Sequence, residues 1–148
     1  MSQSSDLIPS AQRTIRLELE AVECLLSHID ADFVRACEMI LASKGRVVVV
    51  GMGKSGHIGN KIAATLASTG TPAFYGHPGE AAHGGLGMVT DADIVLARSY
   101  SGESDELLLL LPALKRQGNV VIAMTGRPQS SLASAADAAT SGRVARRA

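Results

Sequence analysis

The sequence predicts an α/β protein: a parallel sheet between helical layers, an α-β-α sandwich of flavodoxin or Rossmann type, preceded by two N-terminal helices. Three observations carry that expectation. The runs Val47-Val48-Val49-Val50 and Ile94-Val95-Leu96-Ala97 are continuously apolar, as strands covered on both faces have to be. Segments of helical spacing separate the strand candidates, and that alternation closes as βαβ units in a parallel sheet. Glycine-rich turns follow the strands, on the carboxyl edge where such sheets hold their ligands.

Taken in order, residues up to about Pro9 read as loose. Ala11 to Ile29 carries Ile15, Leu17, Leu19, Val22, Leu25, Leu26 and Ile29 at roughly helical spacing, with charges between them. Asp30 or Asp32 caps a second helix, Phe33 to Ala42, which Lys44-Gly45 ends. Two helices before the first strand exceed what one sheet face needs, so they form an oligomer contact or simply pack on the home domain. Arg46 to Gly51 is the first strand and Ile58 to Ser68 its helix. Gly70-Thr71-Pro72 punctuates, Ala73-Phe74-Tyr75 is a short second strand, and Gly76 to Met88 is a long loop. Asp93 to Arg98, the loop Ser99 to Ser104 and the helix Asp105 to Gln117 follow. Val120 to Thr125 is the fourth strand, Gly126-Arg127-Pro128 turns, and Ser130 to Ala136 is a short helix. The organisation is a helical segment at 1–45, a ligand-binding α/β domain at 46–140 and a basic tail at 141–148.

A chain of 148 residues with 46% hydrophobic content buries a full core. Only 3% of residues are aromatic and the formal net charge is zero, which argues against base-stacking surfaces and against a nucleic-acid or anionic-membrane partner. Cys24 and Cys37 show neither a disulfide framework nor zinc spacing, which suits a reducing, cytoplasmic location. The polar start, Met1 to Asp6, lacks a signal peptide's regions, and no apolar run is long enough to span a bilayer.

The stretch Val50-Gly51-Met52-Gly53-Lys54-Ser55-Gly56-His57 joins strand, glycine turn and helix, the layout that gathers backbone N–H groups into an anion seat. It is not a nucleotide P-loop, because Val48 stands where that motif needs a glycine. Gly51, Gly53 and Gly56 fit the dinucleotide fingerprint, but Phe74-Tyr75-Gly76-His77 offers no acid for a ribose. A phosphosugar seat and a tight turn without a ligand remain. The second turn, Ser99-Tyr100-Ser101-Gly102-Glu103-Ser104, crowds three hydroxyls at a helix start. Those hydroxyls hold a phosphate, or Ser104 simply caps the helix. His77, Glu80 and His83 lie three apart on the loop, a thin set of ligands for zinc. His57 is expected to pack, and His28 to lie at the surface.

Gly51-Met52-Gly53-Lys54-Ser55-Gly56-His57-Ile58-Gly59 resembles the first motif of the sugar isomerase (SIS) domain. Thr69 to Pro72, His77 to Gly84, the Ser99–Glu106 turn, Thr125 to Pro128 and Ala135 to Asp137 resemble arabinose-5-phosphate isomerases, over roughly residues 10 to 139. The resemblance implies interconversion of D-arabinose 5-phosphate and D-ribulose 5-phosphate through a cis-enediol, a step feeding synthesis of Kdo, a lipopolysaccharide sugar. It implies a sugar phosphate as partner and a homo-oligomer, tetramer or dimer. It places Lys54 and Glu106 in catalysis, and Ser55, Gly70, Thr71, His77, His83, Ser99, Ser101 and Ser104 on the substrate. No cofactor is required, with zinc at His77 as an inhibitory ion. Such chemistry needs a base beside the carbonyl and a cation or donor for the enediolate oxygen.

Two departures stand out. Gly85 occupies a position where the family commonly has aspartate. After Ala139 the family continues into a fifth strand, further catalytic residues and a pair of CBS domains, whereas this chain runs Thr140 to Ala148, read as a truncation with a solvated Arg143, Arg146, Arg147 cluster. Turnover by these residues alone is therefore expected to be weak or absent. A non-catalytic sugar-phosphate-binding regulatory module, or another phosphosugar isomerase, is the alternative.

Overall fold

The computed structural model describes residues 6–82 and 85–142. Five parallel strands form one sheet in the order β2-β1-β3-β4-β5. They are β1 (Val47–Gly51), β2 (Ala73–Gly76), β3 (Ile94–Arg98), β4 (Val120–Thr125) and β5 (Ala138–Ser141). The helices are α1 (Leu7–Cys24), α2 (Ala31–Ala42), α3 (Gly53–Ser68), α4 (Pro78–Ala82), α5 (Asp105–Gln117) and α6 (Ser131–Ala135). The side-chain alternation of a strand divides the core in two. Val48, Val50, Val95 and Val121 pack with Leu107, Leu110 and Leu114 of α5. Val47, Val49, Ile94, Leu96 and Ile122 form the other cluster with Ala36 of α2 and Ala63 of α3. That two-sided cover is why these strands read as unbroken apolar runs.

Several element boundaries differ from the sequence expectation. α1 begins at Leu7, because Pro9 sits in the first turn, where a missing N–H costs no helical bond. It ends at Cys24 in a 3-10 turn, Leu25–His28, and His28 is half-buried there rather than at the surface. Asp30, not Asp32, caps α2 by accepting from the Asp32 and Phe33 amides, each at 3.1 Å. α3 begins at Gly53 rather than Ile58, so Lys54 and Ser55 lie in its first turn. The segment expected to be loop holds α4 and a 3-10 turn at Gly85–Met88. The fifth strand, expected to be missing, is present: Ile122 pairs with Ala138 and Thr125 with Ser141. An edge strand paired on one side needs no apolar run, and Ala-Ala-Thr-Ser has none. Residues 143–148 of the basic tail lie outside the described residues.

At the amino edge a buried ion pair fixes the start of β1. Asp93, its side chain 1% exposed, accepts from the Arg46 amide (2.7 Å), the Arg46 guanidinium (2.8 Å) and the Thr90 amide (2.9 Å). The guanidinium also lies 4.8 Å over the Phe74 ring. Burial pushes the Asp93 carboxyl up, but the Arg46 side chain, the two amides and the guanidinium charge outweigh it and hold the group well below the ordinary carboxylate range.

A folded value below the unfolded one means that stability from Asp93 is complete above about pH 4 and is lost as pH falls below that. Asp93→Asn is expected to cost about 2–3 kcal/mol near neutrality. Urea melts at pH 7 and pH 3 check this, and the wild-type advantage shrinks at the lower pH.

Candidate functional site

The sheet order places β1 beside β3, with Gly51 opposite Arg98. The chain leaves these two neighbours toward opposite sides, which makes a switch point at their carboxyl ends. Both departing helices begin there without a side-chain cap: neither Met52 before α3 nor Ser104 before α5 caps with its side chain. Two helix starts therefore direct unsatisfied N–H groups and their positive dipole ends to one edge. A Cβ on Gly51 would stand 3.1 Å from the Arg98 carbonyl oxygen and 3.0 Å from that of Ser55, so the two turns touch at their roots.

The serine turn is internally organised. Ser99 is buried, and its hydroxyl lies 2.9 Å from that of Ser104 and 3.4 Å from that of Ser101, while accepting from the Gly102 amide at 3.1 Å. Ser104 thus occupies the cap position of α5 but spends its hydroxyl on Ser99, so the capping alternative does not account for it. Ser99 organises the turn, and Ser101 and Ser104, both half-buried, line it. Gly102 has φ +67, and a Cβ there would run into the Ser130 hydroxyl. Glu103 turns away to accept from the Ser131 amide at 2.8 Å. That bond, with Arg127 nearby, holds its carboxyl below the usual range. The acid of this motif is thereby tied to α6.

Sequence reasoning missed Tyr75. Its hydroxyl donates to the Gly51 carbonyl at 2.6 Å, and its ring lies against α3 where Gly56 and Gly59 have no side chains. A Cβ on Gly56 would stand 2.5 Å from that hydroxyl. The glycine spacing that mimics a dinucleotide fingerprint is here a seat for a tyrosine. Burial, then the Glu80 charge, pushes the Tyr75 phenol up, so it stays a donor at neutral pH. Nothing short of the β1–β2 pairing connects Tyr75 to Gly51, which is why no local signal announced it.

The expected site residues divide between the two edges. Lys54 and Ser55 (α3), Ser99, Ser101 and Ser104, Glu106 (α5) and His77 (after β2) all lie at the carboxyl edge. Gly70 and Thr71 precede β2 and lie at the amino edge, where Pro72 accepts from the Val47 amide. Six residues of extended chain, about 20 Å, separate Thr71 from His77. Lys54 and Glu106 are exposed in their helices' first turns. His57, expected to pack, is exposed as well. His83 lies outside the described residues. His77 is exposed, and its Nδ1 accepts from the Gly79 amide at 3.2 Å, leaving Nε2 for a ligand. Among the described residues no three His, Cys, Asp or Glu side chains converge on a metal position. Beside the serine turn a pocket of about 710 Å³ is lined by Tyr100, Glu103, Arg127, Gln129 and Ser130.

Fold and edge together define a class: a doubly wound α/β protein with two uncapped helix starts at its switch point. The chain belongs to the SIS domain family, which its residues 40–147 match. It is 64% identical over 137 residues to arabinose 5-phosphate isomerase KdsD of Pseudomonas aeruginosa, covering 93% of this chain and 42% of that protein. With KdsD of Escherichia coli K12 it shares 54% over 132 residues, covering 89% of this chain and 40% of that protein. The chain thus spans 40–42% of the length of these curated relatives. Its fold is similar to that of c3406 of E. coli CFT073, solved in complex with arabinose 5-phosphate, at TM-score 0.91 and 42% identity over 98% of this chain and 77% of that one. A candidate sugar-phosphate isomerase from Listeria monocytogenes is similar at TM-score 0.92 and 30% identity, over 99% of this chain and 76% of that one. No helix among the described residues is long and apolar enough to cross a membrane.

Tyr75→Phe removes one hydroxyl and leaves the packing. It is expected to cost about 1 kcal/mol and to speed amide exchange in Gly53 to Gly56 while leaving β3 and β4 protected. Hydrogen exchange resolved by residue checks it.

Proposed function

We propose that this chain binds D-arabinose 5-phosphate at the carboxyl edge of β1 and β3 and carries the isomerase half-site that exchanges it with D-ribulose 5-phosphate. The observation that supports this reading is the meeting of two uncapped helix starts at one switch point, one bearing Lys54 and the other the serine turn. In this reading Ser101, Ser104 and Ser55 hold the phosphate, with Ser99 ordering them. Lys54 neutralises charge on the phosphate or on the enediolate oxygen. Glu106, in the first turn of α5, moves the proton between neighbouring carbons of a cis-enediol. His77 extends the wall on the β2 side, His83 contacts the substrate as the resemblance implies, and no cofactor is required. The similarity to the KdsD proteins and to the c3406 complex supports the substrate. The place of that step in Kdo and lipopolysaccharide synthesis and a cytoplasmic location follow from the same reading.

The reading includes a homo-oligomer. Gly70 and Thr71 sit a strand's length from the serine turn, beyond the reach of one pentose phosphate within a single subunit. Contact from those two residues has to come from another copy.

Calorimetric titration with D-arabinose 5-phosphate is expected to give saturable binding that Ser101→Ala or Lys54→Met weakens at least about tenfold, roughly 1.4 kcal/mol. Incubation in deuterated water reports the chemistry separately. Uptake of deuterium beside the sugar carbonyl marks proton transfer by this chain. Binding without uptake assigns it as a sugar-phosphate-binding module, and absence of binding overturns the phosphosugar reading.

A further inference from the structure

We propose that Tyr75 is a positioning residue for sugar-phosphate binding. Its hydroxyl stands in for a ladder amide that Pro78 cannot supply, and so holds the Gly51 carbonyl out of the seat. The proposal rests on the phosphosugar reading above and names what keeps that seat open.

The register of β1 on β2 shows why a substitute donor is needed. Val47 is level with Ala73 and Val49 with Tyr75. The Val47 amide donates to the Pro72 carbonyl, one residue before its own partner. A parallel ladder repeats every two residues, each facing residue donating to the one before its partner and accepting from the one after it. On that pattern Val47 accepts from residue 74, Val49 from residue 76, and Gly51 from residue 78. Residue 78 is proline, which has no N–H to give. The pairing of β2 with β1 ends at Gly76. The donor that the main chain lacks comes from a side chain, the Tyr75 hydroxyl at 2.6 Å from the Gly51 carbonyl oxygen.

An untethered Gly51 carbonyl has a competing use. It stands at the root of α3, whose first-turn amides receive no side-chain cap from Met52. A carbonyl three residues before Lys54 is spaced to close a β-turn on the Lys54 amide. Among the described residues no such bond forms. The oxygen lies instead beneath α3, 2.8 Å from where a Cβ on Gly56 would stand. Gly51 carries no side chain to resist the rotation. Turned toward Lys54, the carbonyl would take an amide from the ligand and set its own partial negative charge against the phosphate. The Tyr75 ring packs on α3 at Gly59, so the hydroxyl acts through the Gly51 backbone and not on the sugar.

Calorimetric titration of the full chain with D-arabinose 5-phosphate, with circular dichroism to confirm folding, measures the effect. The carbonyl resonance of Gly51 in a nuclear magnetic resonance spectrum reports its bond. Tyr75→Phe is expected to raise the dissociation constant about fivefold and to shift that resonance. Pro78→Ala returns an amide to the position where the ladder lacks one. In the Tyr75→Phe background it is expected to recover most of the affinity and to bring the resonance back. Lost packing would not be repaired by removing a buried proline ring as well. Equal binding by the wild type and Tyr75→Phe overturns the positioning role and leaves the phosphosugar reading standing. Weakened binding without recovery in a folded double variant overturns the ladder account. Should the double variant not fold, an unshifted Gly51 resonance in Tyr75→Phe overturns the proposal, and a shifted one with weakened binding supports it. A wild type that does not bind overturns the phosphosugar reading and this proposal with it.

Discussion

Val47 to Val50 lie between β2 and β3, buried on both faces, and their pairing with Ile94 to Ala97 determines what happens at the carboxyl edge. Because Gly51 is level with Arg98, the turns that follow have to start side by side. Because β1 and β3 send their helices to opposite faces, those helices diverge from a shared crevice instead of crowding it. A one-residue slip in that pairing would turn each valine to the other face and break both core clusters. The seat is therefore as well determined as the core. The Arg46–Asp93 ion pair, at the opposite end of the same two strands, holds the start of that register.

The electrostatics of the seat depend on where its acids go. A carboxylate inside the serine turn itself would oppose any anion held by the hydroxyls and amides there. Glu103 lies inside the serine turn, yet its oxygen is drawn to the Ser131 amide, and α6 starts where it can supply that donor. The Gly102 carbonyl accepts from Leu132 of the same helix at 3.1 Å. α6 is only five residues long, and two of its amides hold the Gly102–Glu103 corner of the turn. Ser99 acts from beneath in the same way, its hydroxyl spent on Gly102, Ser101 and Ser104.

The sheet, the two-sided core and the carboxyl-edge position of the glycine and serine turns were legible because they follow from composition and period. Runs such as Val47–Val50 are too short to be anything but covered strands in a chain of this kind. What escaped depends on tertiary contact. β5 is short and small, and only its neighbour makes it a strand. The start of α3 was hidden by its glycines, which read as loop until Tyr75 supplies the reason for them. Gly70 and Thr71 entered by resemblance, and resemblance carries no information about which edge of a subunit a residue occupies. Ser104 looked like a cap because cap and hydroxyl relay use the same residue type at the same place.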